Sequence, residues 1–494
     1  MKTFPLLFVL LFGVLLSLPT ESQAQWQTDV RLTYDPGLSL TAYNNGWRIA
    51  ANGDVVHAVW ADDGDGNLEI YYKRSVDGGI TWGPDLRVTS NTAESHHPSV
   101  SVSGSVLHVV WQDNRDGNFE IYYKRSTDGG IGWGGDTRLT NDSAESRYPS
   151  AAVSGQAIHV VWYDSRDGNE EIYYKRSTDG GSSWGTDTRL SNDPAWSTFA
   201  SVSVSGSVVL VVWADLRDAG WEIYYKRSAD GGISWGPETR LTYSIRWAEY
   251  PSVSVSGSVV HVVWQDDRHT TEEVYYIRST DGGASWGAET RLTNNTAWSL
   301  RPCVSVSGSV VHVVWHDYRD GNAEIYYKRS PDGGSSWEAD TRLTSNSAYS
   351  ENPSVSASGS PPNGGVHVVW QDDRDGNYGI YYEGDPTGNT VGVKAVSSEI
   401  PNQCRLEQNY PNPFNPSTTI EFSVAEARNV VLKMFNTLGQ GVATLVSGEL
   451  SPGRYKSEWN SSGVPSGVYF YRLEATPEKG GIAFIDVKKI IVMK

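Results

Sequence analysis

Trp196, Trp247, Trp298 and Tyr349 lie in four successive loops of this sequence, beside the variable pairs Thr198-Phe199, Glu249-Tyr250, Leu300-Arg301 and Glu351-Asn352. Two more pairs, His96-His97 and Arg147-Tyr148, hold the corresponding positions nearer the N-terminus. Exposed aromatic rings beside Arg, Asp and Asn have the chemistry of a sugar-binding surface, since the rings stack on the sugar and the polar groups bond its hydroxyls. The competing reading is that these rings cap packing interfaces and that the pairs vary by drift.

Other residues offer charge and proton transfer. Arg48 sits where later copies of its segment mostly have Ser, Asp62 and Asp63 follow it, and Arg246, Arg301 and Tyr318 are further non-repeating candidates. Asp62–Glu69 (DDGDGNLE) has closely spaced oxygen ligands of the kind that suits Ca²⁺, but the same residues make ordinary turns elsewhere. No metal and no cofactor is therefore expected. His57, His108, His159, His261, His312 and His367 recur one per segment, with Leu210 in the remaining one. A packed, hydrogen-bonded core histidine explains that pattern better than a ligand site does.

The elements that position these groups come from a repeat. Trp60, Trp111, Trp162, Trp213, Trp264, Trp315 and Trp370 each end an apolar run of the type VVHVVW, at intervals of 51 residues and finally 55. One unit reads as four strands: Ser150–Gly155, Ala157–Asp164, Glu171–Ser177 and Asp187–Leu190. The second is apolar on both faces, as a sandwiched strand must be. Four short antiparallel strands in about 50 residues make a propeller blade. The count predicts an all-β, seven-bladed β-propeller, with six blades as the alternative. The seventh unit lacks an outer strand, and Asp29–Asp35 (DVRLTYD) is an outer strand with no blade before it. Asp29–Thr33 is therefore expected to pair with Ile380–Tyr382 and close the ring, removing exposed sheet edges.

Six units carry a second signature, SVDGGITW at Ser75–Trp82 and close copies starting at Ser126, Ser177, Ser228, Ser279 and Ser330. It resembles the Asp-box of bacterial neuraminidase repeats, S-x-D-x-G-x-[TS]-W, with Gly132 replacing Ser/Thr in the second copy. The resemblance covers Asp29 to about Asp385. In sialidases the box lies away from the active site, so Asp77, Asp128, Asp179, Asp230, Asp281 and Asp332 are expected to be structural, accepting backbone N–H groups within the turn. The resemblance also implies a catalytic set: three Arg that clamp a carboxylate, an Asp acid/base, and a Tyr nucleophile activated by Glu, an exception to two-carboxylate glycosidases. The family's first Arg lies in a [YF]-R-I-P motif, and this chain has Trp47-Arg48-Ile49-Ala50. Arg48, Asp63, Arg246, Arg301 and Tyr318 would fill that set. Pro is missing, however, and the sequence assigns no Tyr–Glu pair. Near-uniform repeats leave few positions for catalysis, so no catalytic residue is assigned.

Residues 1–24 combine Lys2, an apolar Phe4–Leu18 and a small-x-small site at Ser22–Ala24, the pattern of a secretory signal peptide. No later stretch nears the roughly 20 apolar residues of a membrane helix. A net charge of −18 excludes nucleic acid as a partner. Two cysteines, Cys303 and Cys404, exclude a disulfide scaffold. Residues 386–405 read as a linker. Beyond it, Tyr410-Pro411-Asn412-Pro413-Phe414-Asn415-Pro416, Leu438-Gly439, Gly453, Trp459, Ser466–Tyr469 and the terminal Lys488–Lys494 resemble the sorting domain of type IX secretion substrates. Residues 406–494 are expected to form an Ig-like β-sandwich that engages the type IX secretion machinery. That implies a protein secreted from, or attached to the outer surface of, a Gram-negative bacterium. The whole reads as a monomeric exported propeller that recognises a glycan or surface protein through its loop face without catalysis. The alternative is an exo-sialidase or another glycoside hydrolase.

Overall fold

Ala157–Asp164 illustrates how one repeat folds. Its residues from Ile158 onward are all buried. It pairs antiparallel with Ser146–Ser154 on one side and Glu171–Ser177 on the other, and Thr188–Arg189 forms the outer edge. The computed structural model describes residues 26–494 except 42–45, 219, 245, 359–364, 386–393, 398–400, 416, 427, 440, 451, 462–463, 478–482 and 494. The expected signal peptide lies outside these residues, as does most of the expected linker. All helices and strands among them are strands, in two compact units, 24–391 and 392–494.

In the first unit seven sheets follow one another along the chain. Their inner strands touch in succession, and the last, Ser350–Ser358, touches the first, Ile49–Asn52. The circle is closed by backbone hydrogen bonds between the two ends of this unit. Val30 pairs with Tyr382 and Arg31 with Tyr381, while the Leu32 N–H donates to the Ile380 carbonyl at 2.7 Å. The N-terminus thus supplies the outer strand of the last sheet.

Two details depart from the sequence reading. The inner strand begins at Ser146 rather than Ser150, running through a β-bulge between Arg147 and Ser150. Pro149 has no N–H to give a ladder, and the bulge accommodates it. The first sheet has five strands because its inner strand is split into Ser39–Leu40 and Ile49–Asn52, both paired with Val55–Asp62.

The repeated polar residues hold sheets together. In each WxD run the Asp is buried, as at Asp164, which accepts from Trp162 Nε1 at 2.9 Å, Ser146 Oγ at 2.8 Å and the Arg166 guanidinium. Burial alone would push this carboxyl up, but the donors from Arg166, Trp162 and Ser146 hold it below its ordinary range. His108 Nδ1 lies 2.8 Å from the Tyr123 hydroxyl, and Tyr123 reaches the next sheet, where the ring of Trp184 meets it edge-on at 4.9 Å. A Cβ on Gly181 would overlap that hydroxyl, which is why the second Gly of the DGG turn is needed. Burial lowers the His108 imidazole to about 4, so it stays neutral.

The second unit has two four-stranded sheets. One runs Lys394–Ser397, Gly453–Asn460, Ser417–Val424, Arg405–Leu406; the other runs Gly441–Leu450, Arg428–Phe435, Gly467–Pro477, Phe484–Val492. Lys394–Ser397 falls within the expected linker, yet it is an edge strand on Gly453–Asn460. Ile420, Phe422 and Val424 of one sheet share a core with Leu432, Tyr471 and Leu473 of the other. Both cysteines are free thiols. No helix among the described residues is long and apolar enough to cross a membrane.

Candidate functional site

The loop ahead of each inner strand places side chains at recurring positions. The strand's first Ser or Ala pairs with the WxD Asp, as Ser299 does with Asp317. The residue before it is Leu38, Glu94, Glu145, Trp196, Trp247, Trp298 or Tyr349 around the seven sheets. Trp196, Trp247 and Trp298 are 54, 56 and 53% exposed and Tyr349 is 45% exposed. These four rings occupy consecutive sheets and project into solvent. The Trp of each Asp-box, by contrast, meets a Tyr of the preceding sheet edge-on.

Two residues past that first Ser or Ala, the backbone enters the left-handed region at His97, Tyr148, Phe199, Tyr250, Arg301 and Asn352, with φ between 50° and 54°. Such a conformation is costly for a residue with a Cβ and marks a place where surroundings impose it. Here the bulge N–H is caught by the neighbouring sheet, as when Tyr148 N donates to Gln112 Oε1 at 2.9 Å and Arg301 N to Gln265 Oε1 at 3.0 Å. The side chains then lean on one another from sheet to sheet. His97 and Tyr148 have centroids 4.4 Å apart, Phe199 and Tyr250 4.2 Å, and the Arg301 guanidinium lies 3.6 Å from the centre of Tyr250.

The sialidase-type candidates fall in different surroundings. Arg48 is 2% exposed, and burial lowers its guanidinium to about 9, with Cys303 opposing the shift and Arg301 adding to it. Arg246 is half exposed and faces Asp267 at 3.7 Å. Asp63 Oδ1 accepts the Leu38 N–H at 2.6 Å, the loop-closing part that Asn114, Asp267 and Asp373 play at their own sheets. The like charge of Arg301 bears on Arg48, whereas Arg246 is engaged in its own loop. Each Asp-box carboxylate lies within its own turn. Asp77, for example, accepts the Thr81 hydroxyl at 2.5 Å, the Thr81 N–H at 2.8 Å and the Ser75 hydroxyl at 2.7 Å. Those bonds hold its carboxyl low. Among the described residues no group of three or more His, Cys, Asp or Glu side chains is arranged to hold a metal.

The sequence reading named Glu351 only as one of the variable pairs and did not single out Tyr378. The Tyr318 hydroxyl donates to Glu351 Oε1 at 3.2 Å and the Tyr378 hydroxyl to Glu351 Oε2 at 3.0 Å. The three residues come from the sixth and seventh sheets. Burial and then Glu351 push the Tyr318 hydroxyl up to about 12, so it is a weaker acid than a free phenol. On the fifth sheet Glu249 is pushed up to about 7 by burial, with Arg301 opposing and Glu272 and Asp267 reinforcing. The available signal was departure from the repeat, since Tyr378 stands where other copies have Leu68, Phe119, Glu170, Trp221, Glu272 and Ala323.

Comparison with known proteins supplies the remaining findings. Residues 408–492 match the model of the secretion system C-terminal sorting domain. A sialidase of Clostridium perfringens is 26% identical over 203 residues, covering 34% of this chain and 52% of the relative. The chain thus spans about half the length of the curated relative it matches. Among solved structures, the polysaccharide lyase Uly1 is 9% identical, covers 73% of this chain and 99% of its own, and superposes with a TM-score of 0.49. Trypanosoma rangeli sialidase bound to the inhibitor DANA is 11% identical, covers 93% and 88%, and has a TM-score of 0.44. The chain is a sialidase-like propeller ending in a secretion-system sorting domain, which sends it out of the cell or onto the outer surface of a Gram-negative bacterium.

Proposed function

We propose that the seven sheets are the blades of one seven-bladed propeller over residues 25–385, carried by an Ig-like sorting domain over 406–494, and that the propeller binds a glycan or surface protein without catalysis. The observation that carries this reading is the arc of Trp196, Trp247, Trp298 and Tyr349, half in solvent on consecutive sheets. Large rings held in water have no folding role that would retain them, and together they offer stacking platforms along one face. Support also comes from the candidate catalytic arginines. A carboxylate clamp needs three guanidinium groups meeting at one point, while Arg48 is buried and Arg246 turns to Asp267.

The second reading, an exo-sialidase or other glycoside hydrolase, is favoured by one observation, the Tyr318–Glu351 pair. The two readings separate in one experiment on the full chain. A fluorogenic sialoside should show no turnover, and glycan-array binding should weaken in Trp247→Ala and Trp298→Ala. Turnover that Arg48→Ala abolishes would replace the binding reading with the enzymatic one.

A further inference from the structure

Glu351 is held differently from most WxD aspartates of the propeller. Those at 113, 164, 215, 266, 317 and 372 each take an Arg, while Asp62 accepts from Ser39, Trp60 and Gly64 instead. Glu351 has only the hydroxyls of Tyr318 and Tyr378, one on each oxygen, and no Lys or Arg among the described residues pairs with it. Aromatic rings close the corner. Trp298 meets Tyr318 edge-on at 6.0 Å, His316 meets it at 5.9 Å, and Tyr349 stands near enough to act on the Tyr318 hydroxyl. The charged groups that act on Tyr318 and Tyr378 are the carboxylates Glu351 and, for Tyr378, Asp373.

The constellation occurs once. Where the sixth and seventh sheets have Tyr318, Glu351 and Tyr378, the preceding pair has Asp267, Leu300 and Ala323, and the pair before it Leu216, Glu249 and Glu272. Those sheets fold the same way without the trio, so folding does not require it.

We propose that Glu351, Tyr318 and Tyr378, with Trp298 and Tyr349 at the rim, bind a protonated amino group carried by the sugar units of a glycan. A carboxylate partly removed from water and lacking a counter-cation gains most from an ammonium ligand. The surrounding ring faces add cation–π attraction, and the tyrosine oxygens accept further N–H bonds. The exposed Trp298 and Tyr349 supply the surface on which the sugar carrying the amine stacks. This deepens, and rests on, the glycan reading above. It selects an amine-bearing oligosaccharide over a neutral or an anionic one.

The test is calorimetric titration of the full chain near about pH 6, where the amines are protonated. The probes are a glucosamine hexasaccharide, its N-acetylated counterpart, cellohexaose and a lysine hexapeptide. The amine-bearing sugar should bind about tenfold or more tighter than the N-acetylated one. Glu351→Gln should erase that preference while leaving neutral-sugar binding in place. Tyr378→Phe keeps ring and charge and should reduce the preference without removing it. Equal affinity for the two sugars, or a preference that survives Glu351→Gln, overturns the ammonium site and leaves the glycan reading standing. Binding of no oligosaccharide overturns both, and binding of the lysine peptide alone assigns the site to a protein ligand instead.

Discussion

Trp26 meets Tyr327 edge-on with ring centroids 4.8 Å apart, and so fills the one junction that has no Asp-box. At the other six junctions the contact is made by Trp82 on Tyr382, Trp133 on Tyr72, Trp184 on Tyr123, Trp235 on Tyr174, Trp286 on Tyr225 and Trp337 on Tyr276, all at 4.8 to 5.2 Å. Trp26 stands outside every repeat, yet the closing strand delivers it to the same place. Trp26→Ala should therefore cost as much as Trp184→Ala, about 2 kcal/mol each from lost packing. Urea unfolding followed by near-UV circular dichroism measures both. A loss under about 0.5 kcal/mol for Trp26→Ala beside a full loss for Trp184→Ala would show that the closure does not depend on this ring.

The paired glycines of the DGG turn separate conformation from crowding. Gly129 and Gly130 both have positive φ, at 75° and 88°. A Cβ on Gly129 meets only Arg74 at 3.9 Å, while one on Gly130 would overlap the Tyr72 hydroxyl from the preceding sheet. Gly129→Ala should cost about 1 kcal/mol, the conformational share alone. Gly130→Ala adds a clash and should cost at least about 2 kcal/mol more. Equal midpoints for the two variants would mean that the Tyr72 contact is easily displaced.

The repeat made the architecture legible. Seven VVHVVW-type runs carry the period of the sheets, and the unmatched strand at Asp29–Thr33 marks the pairing with Tyr381 and Tyr382. Local spacing says nothing about depth, however. Arg48 looked available in sequence because it replaces Ser, but its side chain is buried just ahead of the inner strand Ile49–Asn52. Glu351 and Tyr318 are 33 residues apart, and only the curvature that sets one sheet beside the next brings them together. The left-handed backbone at Tyr148 was hidden for a related reason. Pro149 reads as a strand boundary, whereas the Gln112 side chain of the neighbouring sheet carries the strand through it.

Acid sensitivity should begin above the range of ordinary carboxylates. Burial lowers His57, His108, His159, His261 and His367 to about 4, from an ordinary value of 6.5. The unfolded chain takes up these protons first, so stability is fully present above about pH 6.5 and is lost as pH falls from there toward 4, by up to about 1.4 kcal/mol per unit for each His. The WxD aspartates act lower. Their folded values are depressed at Asp113, Asp164, Asp317 and Asp372, so their contribution holds above the ordinary carboxylate range and is lost below it. His159→Leu, which copies the natural Leu210, should flatten the upper slope by one histidine's share. Urea midpoints at several pH values measure it, and an unchanged slope would mean that His159 is protonated in the fold.

The sorting domain should act as an address independent of the propeller. Its core draws only on its own residues, and its terminal strand is held by the Tyr410–Pro416 motif. The Ile491 N–H donates to Asn412 Oδ1 at 3.0 Å, Phe414 N donates to the Ile491 carbonyl at 3.1 Å, and Met493 N donates to the Phe414 carbonyl at 3.0 Å. Phe414 itself is 3% exposed and packs on Trp459. Deleting Leu406–Lys494 should leave the propeller folded and protease-resistant but retained in the periplasm. Phe414→Ala should release the terminal strand and reduce surface display, with the propeller's own melting transition unchanged. Cell fractionation with protease shaving distinguishes these states. Normal display of the deletion would place the export signal elsewhere in the chain, and a propeller transition that shifts with Phe414→Ala would show that the two units do not fold independently.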